Sequence, residues 1–363
     1  MTRSILLLIP VLLLLSPASY SHSVHPAPPS MSFIASPHNK IPAAGDTILL
    51  PCQQKAEKLL DEALLFMKKN YYRKEEVHWE ELAASARTRL LSYDNCDDVY
   101  SAITWCFHQI NEQHSFVMAP DKAARYTNDA TSLPRPPALS ELIGEIKGEW
   151  LQDSIAYLTI PWVSTSDSLI CEQVADSLQS VIASLDTRHI SRWIIDLRKN
   201  SGGNFWPMLA GIGPLLGEGV CGYFVSVDER VPFLYKDGSA FQGRHVICRV
   251  SGTAYQTQCS HKSIVVLTGR RTVSAGEIVA LAFKGREQTY LFGEPTAGLT
   301  TVNATYSLSD RSMLVLSVCQ EADHTGRICE GSVIPDKMIR PSTQDPQETD
   351  PVKTAAVSWL MTR

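Results

Sequence analysis

The chain has 363 residues, of which 44% are hydrophobic and 20% charged, an ordinary globular composition that excludes a collagen-like, coiled-coil or wholly disordered protein. At about 100–200 residues per domain, this length allows one large domain or two modest ones. Lys and Arg number 33 against 38 Asp and Glu, a net charge of −5, and a mildly acidic chain without a basic cluster argues against a nucleic-acid partner.

The first 21 residues have the pattern of a secretory signal peptide. Arg3 carries a positive charge, residues 5–15 are almost purely apolar, and small residues stand at the −3 and −1 positions of a cut before His22. The alternative is an uncleaved anchor, but the apolar run is shorter than the roughly 20 residues that a membrane span needs. The sequence therefore predicts an exported protein, periplasmic or extracellular, with no stable membrane span after cleavage.

Nine cysteines follow the predicted signal peptide. Export makes disulfides possible, and the odd number leaves at least one thiol unpaired within the chain. Cys248 with Cys259, and Cys319 with Cys329, flank turn-like stretches. We expect either pair to be able to close a hairpin.

The rest of the chain divides by composition and periodicity. Residues 22–50 are rich in Pro, Ser and His without periodicity, which is typical of a loose arm. Apolar residues between 53 and 112 recur at helical spacing in three stretches, which predicts three helices that bury one another as a bundle. The predicted segments are a signal peptide (1–21), an arm (22–50), a bundle with a His-bearing segment (51–119), an α/β domain (141–340) and a C-terminal tail (341–363).

The apolar period changes from residue 141 onward. Short apolar runs at 155–160, 193–197, 264–267 and 289–292 predict strands, and they alternate with helical patterns at 174–185 and 275–283. This alternation is typical of an α/β layer with parallel strands. Residues 205–216 also have helical character, although Pro207 and Pro214 argue for a broken helix. Residues 302–308 and 313–318 suggest a hairpin or a mixed sheet.

Two strand-to-helix joints carry the candidate chemistry, because reactive groups in α/β sheets collect where strands end. At the first joint, the adjacent Gly202 and Gly203 let the backbone approach a ligand closely. At the second, Ser274 opens a helix, where free N–H groups and the helix dipole would stabilise a developing oxyanion. Plainer interpretations exist for both: the glycines form a tight turn, and Ser274 with Glu277 forms a capping box.

Four motifs, taken in order, resemble the tail-specific (C-terminal processing) serine peptidases. The motifs are Asp196-Leu197-Arg198-x-Asn200-x-Gly202-Gly203, Ser274-Ala275-x-Glu277, Gly293-Glu294-Pro295-Thr296-x-Gly298 and Gly331-x-Val333-x-Pro335-Asp336. Their order and spacing match across roughly 155–340, and 53–112 resembles the family's N-terminal bundle. The resemblance implies an α/β (α+β) chain, a helical bundle followed by a crotonase-like α/β sandwich. It also implies that Ser274 is the nucleophile and that the N–H groups of Ala275 and of Gly202 or Gly203 form the oxyanion hole.

A serine nucleophile needs a base, and the lysine of the processing branch is missing. That branch places its lysine in a Thr-x-Gly-Lys-Gly stretch, where this chain has Leu299. Lys284 lies ten residues along the same helix as Ser274, about 15 Å away by helical rise. A Ser–Lys dyad is therefore not expected.

A second branch, which includes the tricorn core protease and interphotoreceptor retinoid-binding protein, uses a histidine that follows the bundle. Residues 110–116 resemble that segment, with Glu112 in place of its Asp. The resemblance implies that His114 is the general base; without it, His114 would be interpreted as a surface-turn histidine. In the same branch a glutamate precedes the Gly-x-Val-x-Pro-Asp motif, and Glu330 stands there.

We therefore expect Glu330 to fix the tautomer of His114, through Ser115 or another hydroxyl. The alternative is a solvated loop residue, and a Cys319–Cys329 bridge would hold Glu330 rigidly in the orienting role. Fewer than 40 residues separate Phe116 from Ser154, too few for the roughly 80–100 residues of the PDZ domain that many processing peptidases carry. No PDZ domain is expected.

The sequence as a whole predicts an exported serine endopeptidase with no metal or organic cofactor. Ser274 attacks a peptide carbonyl of a peptide or protein substrate, and His114 takes and returns the proton. Two alternatives stay open at this point: a non-catalytic binding protein for apolar ligands or peptides on the same scaffold, and a hydrolase of another ester or amide. The oligomeric state is not predicted.

Overall fold

The computed structural model describes residues 51–92, 95, 98–127, 138–152, 154–186, 190–259, 261–340 and 350–363. The predicted signal peptide and the 22–50 arm lie outside these described residues. Within the described ranges, none of the helices combines the length and the apolar character that a membrane crossing requires.

An N-terminal bundle of three helices is present, as expected. It consists of α1 (Pro51–Asn70), α2 (Trp79–Leu91) and α3 (Val99–Gln109). Each helix buries one apolar stripe, and these stripes meet one another and the strand residues Leu314 and Leu316. The bundle is thereby fixed to one face of a sheet, which places the chain that follows α3 beside that sheet.

A six-stranded sheet contains the predicted parallel strands. Its members are β2 (Gly148–Leu151), β3 (Ile155–Thr159), β4 (Arg192–Asp196), β9 (Ser263–Thr268), β10 (Thr289–Gly293) and β13 (Lys337–Met338), in the order β13-β10-β9-β4-β3-β2. All neighbours are parallel except β2 and β3. The carboxyl ends of β4 and β9 therefore lie side by side, and the two candidate joints follow these ends directly.

A seven-stranded antiparallel sheet faces the first one. Its members are β1 (Phe116–Met118), β5 (Gly219–Val225), β6 (Arg230–Lys236), β7 (Ser239–Gln242), β8 (His245–Arg249), β11 (Thr301–Ser307) and β12 (Met313–Ala322). The order is β1-β12-β5-β6-β7-β8, with β11 also paired to β12. The suggested hairpin over 302–318 is β11–β12, whereas the meander β5–β8 was not predicted.

Helices fill the space between the sheets and cover the outside. The large central core joins both sheets to α5 (Ser168–Leu185), α6 (Phe205–Leu216) and α7 (Ala275–Phe283). A helix α8 (Pro351–Leu360) packs on the other face of the six-stranded sheet, within the predicted tail. A short helix α4 (Pro120–Thr127) follows β1.

The helix α6 is continuous, so the expectation of a break at its prolines was wrong. Pro207 lies in the first turn, where a backbone N–H has no intrahelical acceptor to lose. Pro214 removes the N–H that would bond the carbonyl of Ala210, and the side chain of Gln179 donates to that carbonyl instead, at 2.8 Å. A buried side chain on α5 thus replaces the backbone bond that Pro214 deletes.

The two expected hairpin disulfides are not formed, because all four cysteines carry free thiols. Cys319 lies in β12 and pairs with Val302 of β11. The N–H of Cys329 instead donates to the carbonyl of Glu321, two residues beyond Cys319. Cys248 lies within β8 and Cys259 lies beyond its end. The cross-strand register therefore does not place either pair opposite each other.

Candidate active site

Ser274 lies at the start of α7 in a strained backbone conformation. Its φ and ψ are 54° and −113°, a region that non-glycine residues rarely occupy and that the surrounding structure must enforce. The side chain is 1% exposed, and its Oγ has no hydrogen-bond partner in the described part of the chain. Because the hydroxyl does not cap the helix, it is available for chemistry.

Glu277 holds Ser274 in this conformation. Its Oε2 accepts the N–H of Ser274 at 2.8 Å and that of Leu299 at 2.9 Å. Its Oε1 accepts the N–H of Gly298 at 2.8 Å and the hydroxyl of Thr296. Only the glutamate half of the capping box is therefore formed, because the Ser274 hydroxyl makes no bond to the helix. The Glu277 carboxylate also binds the segment that follows β10.

The turn after β4 packs directly against the serine. Gly202 has a φ of +97°, and a Cβ there would lie 2.9 Å from the carbonyl oxygen of Val273 and 3.1 Å from Cβ of Ser274. The N–H of Val273 donates to the carbonyl of Asn200 at 3.0 Å. Only glycine permits this approach, so the expected meeting of the two joints occurs.

The backbone N–H groups predicted as oxyanion donors differ in whether they are already hydrogen-bonded. The N–H of Ala275 is the first of α7, a position without an intrahelical acceptor. The N–H of Gly202 donates to Oδ1 of Asn200 at 2.9 Å, which makes Gly203 the better donor of the pair. The approach of Gly202 to Ser274 and to the N–H of Ala275 brings the two joints together here.

His114 is buried in a loop that precedes β1. Its Nδ1 lies 2.7 Å from the hydroxyl of Thr301. Its N–H donates to Oε1 of Glu112 at 2.7 Å, and its carbonyl accepts Nδ2 of Asn303 at 2.9 Å. Burial lowers the pKa of His114 to about 3, so the imidazole is neutral at physiological pH and able to accept a proton.

One short segment, residues 296–301, hydrogen-bonds both to His114 and to the glutamate that binds Ser274. Its early part binds Glu277, which binds the N–H of Ser274, and its last residue, Thr301, contacts His114. Through these bonds the 296–301 segment links the helix start that carries Ser274 to the loop that carries His114. The hydrogen bond between Ser274 and His114 is not made in this structure, since Oγ of Ser274 has no partner among the described residues.

The other predicted residues lie apart from this centre. Leu299 occupies the place of the family's lysine, and Lys284 lies at the far end of α7, where it donates to the carbonyl of Ile334 at 2.7 Å and to Asp336 at 3.1 Å. Glu330 is exposed, and the side-chain bond of His114 goes to Thr301 instead. The structure thus packs Ser274 and Ala275 against the glycine turn, connects the His114 loop to them through residues 296–301, and leaves Glu330 exposed.

Sequence reasoning missed Thr301 and the buried Glu321. Thr301 directly follows the Gly-x-x stretch of the third motif, but nothing in the sequence marks a threonine in a strand as a histidine partner. Glu321 lies in β12, and both of its carboxyl oxygens are buried without a partner in the described chain. Burial, and secondarily the charge of Glu277, raise the pKa of Glu321 well above 4.5, so the native state favours its protonated form.

Glu321→Gln is expected to raise stability at neutral and alkaline pH. Between pH 4.5 and its raised pKa the native state holds a proton that the unfolded chain releases, so native stability falls as the pH rises through this window. Glutamine needs no such proton, so the variant should exceed wild type by about 1–3 kcal/mol at pH 8, with the gap closing toward pH 4. Urea unfolding at several pH values measures this, with the exposed Glu287→Gln as the matched control. A gap that does not change with pH would contradict the prediction.

A buried serine with a free hydroxyl at a strained helix start, packed against a glycine turn from the neighbouring strand end, is an arrangement typical of serine peptidases. The family model described as "Peptidase family S41" matches residues 154–339, about half of the chain. The chain belongs to this family, and the expected resemblance and fold class are confirmed. Residues 119–147, the whole connection between β1 and β2, are too few for a PDZ domain.

Two curated proteins are similar in sequence. A nisin-resistance protein from Lactococcus lactis subsp. lactis is 30% identical over 219 residues, which are 60% of this chain and 61% of that protein. Carboxyl-terminal-processing peptidase 2, chloroplastic, from Arabidopsis thaliana is 26% identical over 149 residues, which are 41% of this chain and 26% of that protein. The chain therefore matches less than two thirds of the length of either protein.

A solved structure shows the same fold over most of the chain. A lipoprotein from Streptococcus agalactiae superposes with a TM-score of 0.63 at 21% identity, covering 88% of this chain and 99% of that one. This likeness covers more of the chain than the family model matches. It supports the fold, and the chemistry must be argued from the residues of the site.

Proposed function

We propose that the chain is an exported serine endopeptidase that cleaves peptide bonds with Ser274 as nucleophile and His114 as general base. The observation that carries the proposal is the unbonded hydroxyl of Ser274, held at a strained helix start beside the N–H of Ala275. The signal-peptide pattern of residues 1–21 supports export.

The geometry accounts for the order of events. A substrate carbonyl that enters between the glycine turn and α7 meets the N–H groups of Ala275 and Gly203, and the Ser274 oxygen attacks its carbon. His114 takes the hydroxyl proton and returns it to the leaving amine, and water then cleaves the acyl-enzyme by the same route. Because catalytic hydrogen bonds tighten on substrate binding, the Ser274–His114 contact forms in the substrate complex.

Covalent labelling tests the proposal. A fluorophosphonate probe is expected to modify Ser274 in the folded wild-type protein, as mapped by peptide mass spectrometry, and to leave Ser274→Ala unmodified. The matched control, Ser312→Ala, removes a buried hydroxyl that has no partner in the described chain and should label normally. Internal cleavage of an unfolded protein substrate by the wild type then distinguishes an endopeptidase from a hydrolase of other esters. Absence of labelling in folded wild type would favour the binding protein instead.

A further inference from the structure

The loop that holds His114 is connected to a buried carboxylate through two hydroxyl groups. Nδ1 of His114 lies 2.7 Å from Oγ1 of Thr301, which lies 3.1 Å from Oγ of Ser317. Oγ of Ser317 in turn lies 3.0 Å from Oε1 of Glu112. Glu112, His114 and Ser317 are buried and Thr301 is half-buried, so the carboxylate end of this connection is shielded from water.

The direction of this chain follows from counting protons. Ser317 has one hydroxyl proton and two neighbouring acceptors that cannot donate, Oε1 of Glu112 and Oδ1 of Asn303 at 2.9 Å. Donation to the buried carboxylate is favoured because hydrogen bonds to ionised acceptors are the stronger ones. With its proton given to Glu112, the Ser317 oxygen accepts from Thr301, and the Thr301 oxygen then accepts from His114.

We propose that Glu112, acting through Ser317 and Thr301, sets the tautomer of His114 with its proton on Nδ1 and Nε2 free to accept the proton of Ser274. These three residues are positioning residues, since none of them touches the substrate. The inference rests on the proposed function in naming His114 as the base. It gives Glu112 the orienting role that the sequence suggested for Glu330.

The same carboxylate also fixes the backbone of the loop. Oε1 of Glu112 accepts the N–H groups of His114 at 2.7 Å and Ser115 at 2.9 Å, in addition to the Ser317 hydroxyl. The hydroxyl of Ser115 accepts the N–H of Ser317 at 2.9 Å. One buried carboxylate therefore orients both the main chain and the imidazole of the base, whereas the exposed Glu330 contacts neither.

The tautomer can be measured without catalysis. In Ser274→Ala with ¹⁵N-labelled histidine, long-range ¹H–¹⁵N correlation should show His114 protonated at Nδ1. Adding Ser317→Ala frees the Thr301 proton to donate to Nδ1, so the tautomer should invert to protonated Nε2. Adding Ser312→Ala, a buried serine whose hydroxyl has no partner in the described chain, should leave it unchanged.

Activity gives a second readout with the serine intact. Thr301→Val should lower kcat by about 10²–10⁴-fold with little change in KM, and Thr301→Ser should restore it because the hydroxyl returns. Thr305→Val is the matched control, since it replaces a second threonine four residues farther along β11. The valine variant also serves the tautomer measurement if Ser317→Ala does not fold.

Two results would overturn the inference. One is an unchanged Nδ1–H tautomer in both the Ser317→Ala and Thr301→Val backgrounds. The other is an inverted tautomer in Glu330→Gln, which would return the orienting role to Glu330. Failure of the proposed function is a separate result, because a wild-type protein that does not label at Ser274 can still show the tautomer response.

Discussion

His114→Ala is expected to lower kcat for peptide hydrolysis by about 10⁴–10⁶-fold with little change in KM, because the base acts on the serine proton and does not bind the substrate. The imidazole is buried, and burial lowers its pKa to about 3. It is therefore already neutral at pH 7, which a general base must be before it takes the serine proton. Fluorophosphonate labelling of the variant should slow in parallel.

The chain offers a matched control for this measurement. His108 lies six residues earlier, exposed near the end of α3, so His108→Ala removes an imidazole from the same part of the chain without touching the site. Its kcat should equal that of wild type. Activity that survives in His114→Ala and disappears when Lys284 is also replaced would show a lysine base instead. The ion pair between Lys284 and Asp336 argues against that outcome.

The parts of the fold that the sequence predicted are those whose apolar pattern is strong. The helices of the bundle each carry one buried stripe, and the parallel strands are short apolar runs buried on both faces. The meander β5–β8 escaped because its strands lie half-exposed at the outside of the sandwich, which gives weak alternation. The continuity of α6 depends on Gln179, 31 residues from the carbonyl that it satisfies, and a local pattern does not contain that partner.

The sequence could predict only those parts of the candidate site that follow directly from the order of the strands. Ser274 and the glycine turn follow adjacent strand ends, so strand topology alone brings them together. The partner of His114 is different, because Thr301 and Ser317 meet it only through the pairing of β11 with β12, whose register shifts between Val302 and Asn303. A register shift of this kind changes which side chains share a face, and a single sequence does not record it.

Glu277→Ala is expected to lower the free energy of unfolding by about 3–5 kcal/mol and to abolish labelling of Ser274. The carboxylate is fully buried and accepts three backbone N–H groups and the hydroxyl of Thr296. Truncation leaves the donors of the buried Ser274 and Thr296 and of the half-buried Gly298 and Leu299 without this acceptor, and each buried unsatisfied donor costs about 1–3 kcal/mol before any relaxation. Without this clamp the positive φ of Ser274 relaxes, and the hydroxyl moves away from the N–H of Ala275.

Glu277→Gln separates the clamp from simple packing, because it keeps the volume of the side chain. Each oxygen of Glu277 accepts hydrogen bonds from two donors. In glutamine one of these oxygens becomes an NH₂ group, which cannot accept, and the two donors next to it lose their acceptor. We expect a loss of about 1–3 kcal/mol in urea unfolding and slower labelling of Ser274, with Glu287→Gln unchanged in both. Wild-type stability and labelling rate in Glu277→Gln would mean that the carboxylate is not what enforces the strained serine, and the positive φ would then have to come from the packing of Gly202 alone.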